Sequence, residues 1–296
     1  MTVEQAGGFR CSTAASERGD SMVATAPPAQ AWLLIEHEGA WPVNALDVLP
    51  AGVAQRLAAR ASAMDARISL IRRPGRHPRI DGPFRWAIAN TRPGHEGIRW
   101  AEADDPAELI DADWSVAAGQ GEAVAIVCAH SRHDVCCAIK GRPTAADLDV
   151  QWPGRVWECS HLGGDRFAAT MVLLPHGLCY GRVTSEVGRR ILYAHEHGFV
   201  VPENLRGRSS YSRHAQAAQA LARESGWASS LIGAIQPVSE RAVSDGQYEV
   251  VLAAEPALMV RFRERTVELG TPATCRSTID AFGREYDLTG VVHVAH

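Results

Sequence analysis

The sequence is almost without lysine: Lys140 is the only one among 30 basic residues, and the others are arginine. With 34 acidic residues, the formal net charge is −4. A dedicated nucleic-acid-binding protein is normally basic overall or on one domain. We therefore expect no nucleic-acid partner.

Long apolar runs are also missing. No stretch approaches the roughly 20 apolar residues that a membrane-spanning helix needs. Residues 1–19 lack the basic start and the apolar segment of a signal peptide. We therefore expect a cytoplasmic protein with no membrane partner.

Three cofactor motifs are absent as well. The chain has no GxxxxGK[ST] phosphate loop, no GxGxxG after a predicted strand and no CxxC pair. It therefore shows no flavin or nicotinamide domain of its own. If the protein handles electrons, they must come from a separate reductase.

The 296 residues, of which 46% are hydrophobic and 22% charged, predict a globular protein of about two domains. Residues 1–30 are rich in small residues without a period and predict a disordered tail. Helical and strand patterns alternate in two α/β units, at 31–118 and 119–235, and strands dominate a C-terminal β appendage at 236–296. The two units could be a degenerate duplication, although their residues align too poorly to establish one.

The seven cysteines are unevenly placed, with five of them between positions 128 and 179. Disulfides are rare in the cytoplasm, so metal binding or redox chemistry is the better interpretation of such clustering. Cys11 lies in the predicted tail, where we expect it to have no structural role. Cys136 and Cys179 are expected in the core.

Two clusters of polar side chains each follow a predicted buried strand. Cys128 and Cys137 enclose the first, and His161 and Asp165, four residues apart, belong to the second. Sites in α/β folds gather at the carboxyl ends of strands, so the two clusters predict a mixed-ligand metal site. An iron–sulfur cluster and a zinc ion both use these residue types, and the spacing does not choose between them. Buried structural cysteines are the alternative.

Three runs carry a family resemblance: CAHSRHDVCCAIKGRP, VWECSHLGGDRFAATMVLLPHGLCYGRV and LRGRSSYSRHAQAAQAL. They resemble the sucrase/ferredoxin-like family, over roughly residues 25–233. The resemblance implies a thioredoxin-like ferredoxin domain with a [2Fe–2S] cluster at 119–235, preceded by a smaller α/β unit for which a degenerate thioredoxin-like unit is one interpretation. No convincing pair of carboxylates supports glycoside hydrolysis.

The resemblance also implies the ligands. In eukaryotic members they are the cysteines of a C-x8-C loop and the histidines of an H-x3-H loop, which match Cys128, Cys137 and His161. The fourth position is Asp165 instead of histidine. Either Asp165 binds iron, or Cys159 replaces it, or the cluster is lost. We favour Asp165 because it keeps the loop position, with Cys128 and Cys137 on one iron and His161 and Asp165 on the other, more exposed iron.

Other residues near these loops have weaker assignments. His130 and His133 are expected to be solvated or to cap the loop. Arg132, Arg166 and Arg182 either stabilise the reduced cluster, dock an acidic partner or are ordinary surface charges. The sequence Arg206–Ser209 predicts a basic turn that either folds over the cluster or is structural.

The sequence thus favours a one-electron carrier or reductase module. The first alternative is an enzyme whose cluster reduces a bound small molecule or ferric chelate, and a ligand-sized pocket beside His161 would favour it. The second is a non-redox binding module that has lost the cluster, for which colourless, iron-free protein would be the sign. The electron acceptor is not indicated by the sequence.

Overall fold

The computed structural model describes residues 8–75 and 82–294, and these contain five α-helices and thirteen strands. The helices are α1 Cys11–Glu17, α2 Ala51–Ala63, α3 Val135–Gln151, α4 Ser185–Glu196 and α5 Arg213–Glu224. None of these helices is long and apolar enough to cross a bilayer.

Nine strands form one large sheet. They are β1 Ala31–Glu36, β2 Ala66–Arg72, β3 Phe84–Asn90, β4 Gly97–Ala103, β5 Val124–Cys128, β6 Val156–Cys159, β7 Met171–Leu174, β8 Leu178–Tyr180 and β9 Leu205–Arg208. Their order across the sheet is β4-β3-β1-β2-β6-β5-β7-β8-β9. The central strands β5 and β6 are buried along their whole length, as the continuous apolar run AVAIV predicts.

The large sheet consists of two halves with the same strand order. In the first half β1 and β2 are parallel and joined through α2, while β3 and β4 add antiparallel strands beyond β1. In the second half β5 and β6 are parallel and joined through α3, while β7 and β8 add antiparallel strands beyond β5. The antiparallel pair β2–β6 unites the halves. The two predicted α/β units therefore share one sheet, while the domain boundaries stay a prediction.

The C-terminal strands form a separate four-stranded antiparallel sheet. They are β10 Gln236–Ser244, β11 Gln247–Ala253, β12 Ala257–Glu268 and β13 Phe282–Val294. Buried side chains such as Leu252 and Phe262 pack against Ala218 and Leu221 of α5. A mixed α/β architecture with an added β unit is thus confirmed.

The N-terminal segment is ordered from residue 8, which differs from the disordered tail predicted for residues 1–30. Helix α1 buries Cys11 and Ala15, and Arg182 donates to the carbonyl oxygens of Ala15 and Asp20, at 3.2 and 2.7 Å. Small residues without a period look disordered in the sequence, but here small side chains are what allow close packing against the sheet. Residues 1–7 lie outside the described part of the chain.

Two local features also differ from what the sequence indicates. The helical pattern of the sequence begins at Pro143, but helix α3 begins at Val135, because the Asp134 side chain accepts the backbone N–H of Cys136 at 2.8 Å and caps the helix. Residues 205–208 form the edge strand β9, paired with β8, where the sequence predicted a turn.

A buried histidine pair predicts a loss of stability in acid. His195 of α4 lies with Nε2 3.0 Å from His176 Nδ1. Burial, and then the neighbouring His176, lower the pKa of His195 from 6.5 to about 4. The unfolded chain therefore binds more protons than the folded protein between these values, and the unfolding free energy falls as pH drops from 6.5 to 4.

The test is urea denaturation across this pH range. We expect His195→Gln to flatten the slope by up to ~1.4 kcal/mol per pH unit. His197→Gln, at the exposed end of the same helix, is the matched control. An unchanged slope in His195→Gln would contradict the assignment.

Candidate metal centre

The two sequence clusters meet at one edge of the large sheet. Cys128 ends β5, Cys159 ends the parallel neighbour β6, and the two are register partners. The loops that follow both strands therefore leave the same edge. Because α3 begins within the first loop, Cys137 sits on its first turn, directly above the second loop.

A glycine allows α3 to reach the end of β5. A Cβ atom at Gly141 would lie 1.9 Å from the Cys128 carbonyl oxygen, a distance that no side chain tolerates. The close approach of this helix turn to the strand end brings Cys137 beside Cys128. Any larger residue at position 141 would move the two thiols apart.

Cys128, Cys137, His161 and Asp165 lie side by side at this edge, and these four residues are called the ring below. Asp165 Oδ1 lies 3.3 Å from Cys137 Sγ and 3.1 Å from His161 Nδ1. Cys128 neighbours both Cys137 and His161, and these two side chains lower the pKa of its thiol. The structure therefore brings together all four residues that the resemblance assigned as ligands; their role in binding iron stays a prediction.

One side of the ring is buried in the protein and the other side is accessible to solvent. Cys128 and Cys137 have no exposed surface, and Asp165 is 3% exposed, whereas 30% of the His161 side chain is accessible. The thiols thus face the protein interior and the imidazole faces outward. This arrangement matches an inner pair and an outer pair of donors.

The side chains of the ring shift each other's acidity. Contact with Cys137 lowers the pKa of Cys128 although burial opposes this, and it raises the pKa of Cys137. Burial disfavours a charge on His161, but Asp165 and Cys128 outweigh it and raise the pKa of His161 to about 9. Burial likewise opposes the charge on Asp165, yet His133 and His161 hold the pKa of that carboxyl below its usual range.

His133 joins the site, which the sequence interpretation missed. Its Nε2 lies 3.5 Å from Asp165 Oδ2, and its ring stacks on His161 with centroids 3.6 Å apart. His133 directly precedes the helix cap Asp134 and therefore lies just outside the first turn of α3, on which Cys137 sits. A capping residue before an apolar run was the signal that could have located it.

His130 is structural and not solvated. It is 1% exposed, its Nε2 lies 2.6 Å from the Pro42 carbonyl oxygen, and its ring packs edge-on against Trp41. It therefore ties the first loop to the first half of the sheet.

The reserve ligand Cys159 lies outside the ring. It is fully buried, and burial followed by the Cys128 charge raises its pKa. Among the described residues, no hydrogen bond joins its thiol to His161 or Asp165. Cys179 of β8 is also buried away from the ring, with its thiol 3.6 Å from the Gly177 carbonyl oxygen.

The second loop is held from behind by Arg206, whose side chain is almost completely buried. Its guanidinium donates to the Gly163 carbonyl oxygen at 2.8 Å and to the carbonyl oxygen and hydroxyl of Thr25 at 2.5 and 3.1 Å. Gly164 lies against it with a φ of 83°, where a side chain would be strained and would meet the guanidinium. Arg206 thus has the structural role that the sequence left open.

Arg166 and Arg182 also bind protein groups. Arg166 Nε lies 3.6 Å from Asp20 Oδ2, and Arg182 donates to backbone carbonyls of the N-terminal segment. Both guanidinium groups lie over the Phe167 ring. They hold residues 15–20 beside the site. Arg132 contacts Arg276 through its own carbonyl oxygen.

A cavity of about 540 Å³ opens beside the imidazoles. It is lined by His133, His161 and Asp165 and by four arginines, Arg166, Arg206, Arg213 and Arg284. A larger cavity of about 680 Å³ lies beside β2 and α3 and includes none of the four ring residues. The cavity next to the ring is therefore the one lined by imidazoles and a carboxylate of the candidate site, and the arginines at its rim suit an anionic ligand.

The donor set fits a metal centre. Two thiols and an imidazole are ligands of the kinds that iron–sulfur clusters and zinc use, and the carboxylate is a harder ligand that zinc also accepts. His161 Nδ1 is buried, and among the described residues it has no well-aligned hydrogen bond, although the Asp165 carboxylate is close. A bound ion is one explanation of a buried nitrogen without a hydrogen bond of good geometry. The group His133, His161 and Asp165 could also hold a metal ion by itself.

A second group of potential ligands lies nearby. Cys11, Asp134, Cys136 and Cys275 place one donor atom each within 4.8 Å of the others, so they could hold a metal ion. Two of these cysteines come from segments to which the sequence interpretation assigned no site.

Comparisons with curated proteins and with solved structures gave no match. The family model described as sucrase/ferredoxin-like matches residues 22–207. That range contains the ring of Cys128, Cys137, His161 and Asp165, and it covers more than half of the chain. The match confirms the resemblance seen in the sequence, and the chain belongs to the sucrase/ferredoxin-like family.

Proposed function

We propose that the protein is a [2Fe–2S] electron carrier whose cluster is held by Cys128, Cys137, His161 and Asp165. The observation that carries the proposal is the convergence of these four side chains on one site, where Asp165 contacts both Cys137 and His161. They come from two loops and a helix turn, and no local sequence constraint requires them to meet. When bound, such a cluster accepts and releases single electrons.

The depth at which each residue lies decides which iron it would bind. Cys128 and Cys137 lie in the interior, where thiolates would anchor the inner iron and where water is excluded. His161 and Asp165 lie at the open side, where they would bind the outer iron. A neutral imidazole in place of a thiolate reduces the negative charge at the cluster and raises its potential, and a carboxylate restores part of that charge.

The fold supports a thioredoxin-like ferredoxin domain. The second half of the large sheet has parallel central strands, an antiparallel hairpin beyond them and helices α3 and α4. We propose that a separate reductase supplies the electrons, because the sequence carries no flavin or nicotinamide motif. The accessible edge of His161 beside the basic cavity is the shortest route from the ring to a docked acidic partner.

The proposal is tested by anaerobic purification followed by iron, sulfide and visible absorption measurements. We expect a red-brown protein with two irons and two sulfides per chain. Cys137→Ser should lose nearly all of this iron, whereas Cys179→Ser, at a buried thiol outside the ring, should keep it. Wild-type protein that stays colourless after anaerobic reconstitution would overturn the proposal and favour a binding module.

The cavity favours a second candidate, a reductase that acts on a bound small molecule. A volume of about 540 Å³ accommodates a small ligand, and the imidazoles of His133 and His161 form part of its wall. Arg166, Arg206 and Arg284 already bind protein groups, so Arg213 is the guanidinium that would hold a carboxylate of the ligand. An anionic chelate of ferric iron is the class of substrate that fits. One electron from an external donor would reduce ferric to ferrous iron.

This candidate is distinguished by substitutions at the cavity rim. Arg213 is exposed and contributes no ring contact. We expect Arg213→Ala to raise the KM for ferric citrate by roughly tenfold, since one lost charge contact is worth about 1.4 kcal/mol, while iron content and kcat stay the same. The control is Arg142→Ala, on the exposed side of α3 and outside this cavity. If the wild type does not reduce ferric citrate with saturation kinetics, the reductase candidate is wrong and the electron carrier is the remaining proposal.

A further inference from the structure

A second constellation of thiols lies outside the ring described above. Its members are Cys11 at the start of α1, Asp134 at the cap of α3, Cys136 on the first turn of α3, and Cys275 in the loop between β12 and β13. Cys136 Sγ lies 3.3 Å from Cys275 Sγ, which in turn lies 3.5 Å from Cys11 Sγ. The three sulfur atoms, from residues 11, 136 and 275, thus form one triangle.

Asp134 closes this triangle with a carboxylate oxygen. Its Oδ2 accepts the backbone N–H of Cys275 at 2.6 Å and lies 3.4 Å from Cys11 Sγ, while its Oδ1 caps the helix. The carboxylate is fully buried. Over residues 8–75 and 82–294, no arginine, lysine or histidine forms a salt bridge with it. A buried carboxylate is costly without a cation nearby. A bound metal ion would supply the positive charge that this group lacks.

The dimensions suit tetrahedral coordination. Zinc–sulfur bonds of about 2.3 Å place neighbouring thiolates about 3.8 Å apart around a tetrahedron. The sulfur atoms here are only a few tenths of an ångström closer than that. Small outward movements of Cys11 and Cys275 would therefore open space for an ion without rebuilding either segment.

We propose that Cys11, Cys136, Cys275 and Asp134 bind a structural Zn²⁺ ion. Thiolates are soft ligands that select zinc over calcium or magnesium, and four protein ligands make a closed structural site. Binding releases the thiol protons, and the ion neutralises part of the resulting negative charge. The N–H groups at the start of α3 stabilise the remainder.

The zinc ion would fasten both ends of the chain to the electron-transfer site. Cys11 and Cys275 lie outside the range 22–207 that matches the family. Cys136 is adjacent to the ring residue Cys137, but consecutive helical residues point about 100° apart, so the two thiols serve different groups. The site explains why α1 and the β12–β13 loop cover this helix end. It does not depend on whether the ring holds iron.

The test measures both metals in the full-length protein. After anaerobic purification and dialysis against Zn²⁺, elemental analysis should give one zinc per chain in the wild type. Cys275→Ser, at the half-exposed member, and Cys11→Ser should lose this zinc and keep the iron. Cys179→Ser is the thiol control. Asp134→Asn keeps a good helix cap and should weaken Zn²⁺ binding by ~10–100-fold.

Cobalt gives a readout that does not depend on stability. Co²⁺ added to the zinc-free protein should produce the visible absorption of tetrahedral thiolate coordination, and Zn²⁺ should displace it. Three outcomes would overturn the proposal. The wild type binds neither Zn²⁺ nor Co²⁺ at this group, or the Cys11→Ser or Cys275→Ser variant loses its iron. The third is a disulfide between two of these cysteines in freshly purified anaerobic protein.

Discussion

Asp165→Ala is expected to lose most of the iron that the wild type binds. The Asp165 carboxylate contacts Cys137, His161 and His133, so its removal takes away one donor and leaves two imidazoles without their common partner. Because Asp165 is buried, water has limited access to replace it. Iron and sulfide assays with the visible spectrum measure the effect.

Two further variants decide whether Asp165 is a ligand or only a support. Asp165→His restores an imidazole at the position and is expected to retain the iron and to raise the reduction potential, since a neutral ligand replaces a charged one. Cys159→Ala should keep both the iron and the spectrum, because within residues 8–75 and 82–294 no hydrogen bond joins its thiol to His161 or Asp165. Retained iron in Asp165→Ala together with lost iron in Cys159→Ala would reverse the assignment.

Arg206→Met is expected to lower the unfolding free energy by about 2–4 kcal/mol. Replacing a buried charge by an apolar side chain can be neutral when both partners change. Here the acceptors are the backbone carbonyls of Gly163 and Thr25, which no side-chain substitution removes. The variant therefore leaves two carbonyl oxygens without a donor, and this cost dominates.

Chemical denaturation of the metal-free protein measures this effect without the contribution of bound metal. Arg142→Met, at an exposed position on α3, is the matched control and should change stability by no more than about 0.5 kcal/mol. A stability of Arg206→Met equal to that of the control would show that the second loop is held by other contacts.

Most strands and helices follow from local sequence patterns. The runs at residues 31–36, 84–90 and 156–159 have the length and the apolar, β-branched and aromatic content of strands, and the structure contains strands at these positions. The four ring residues were likewise found from two short loops and a family resemblance. Such features are readable because each depends on neighbouring residues or on a motif of fixed spacing.

His133, α1 and β9 were misjudged for a common reason. His133 gains its role from Asp165, Cys11 from Cys275, and β9 from its pairing with β8. Each contact joins residues that are distant in the sequence, and neither periodicity nor composition encodes the partner. In the sequence alone, a run of small residues suggests disorder and an arginine suggests ordinary surface charge. In the fold, the same residues have structural roles.

The family, the mixed α/β composition and the four ring residues follow from the amino-acid sequence. The fold adds three facts: the two α/β units share one sheet through β2 and β6, His133 stacks on His161, and Cys11 and Cys275 meet at the cap of α3. Strand ends and helix caps depend on neighbouring residues, whereas side chains that are distant in the sequence meet only when the whole fold packs around them.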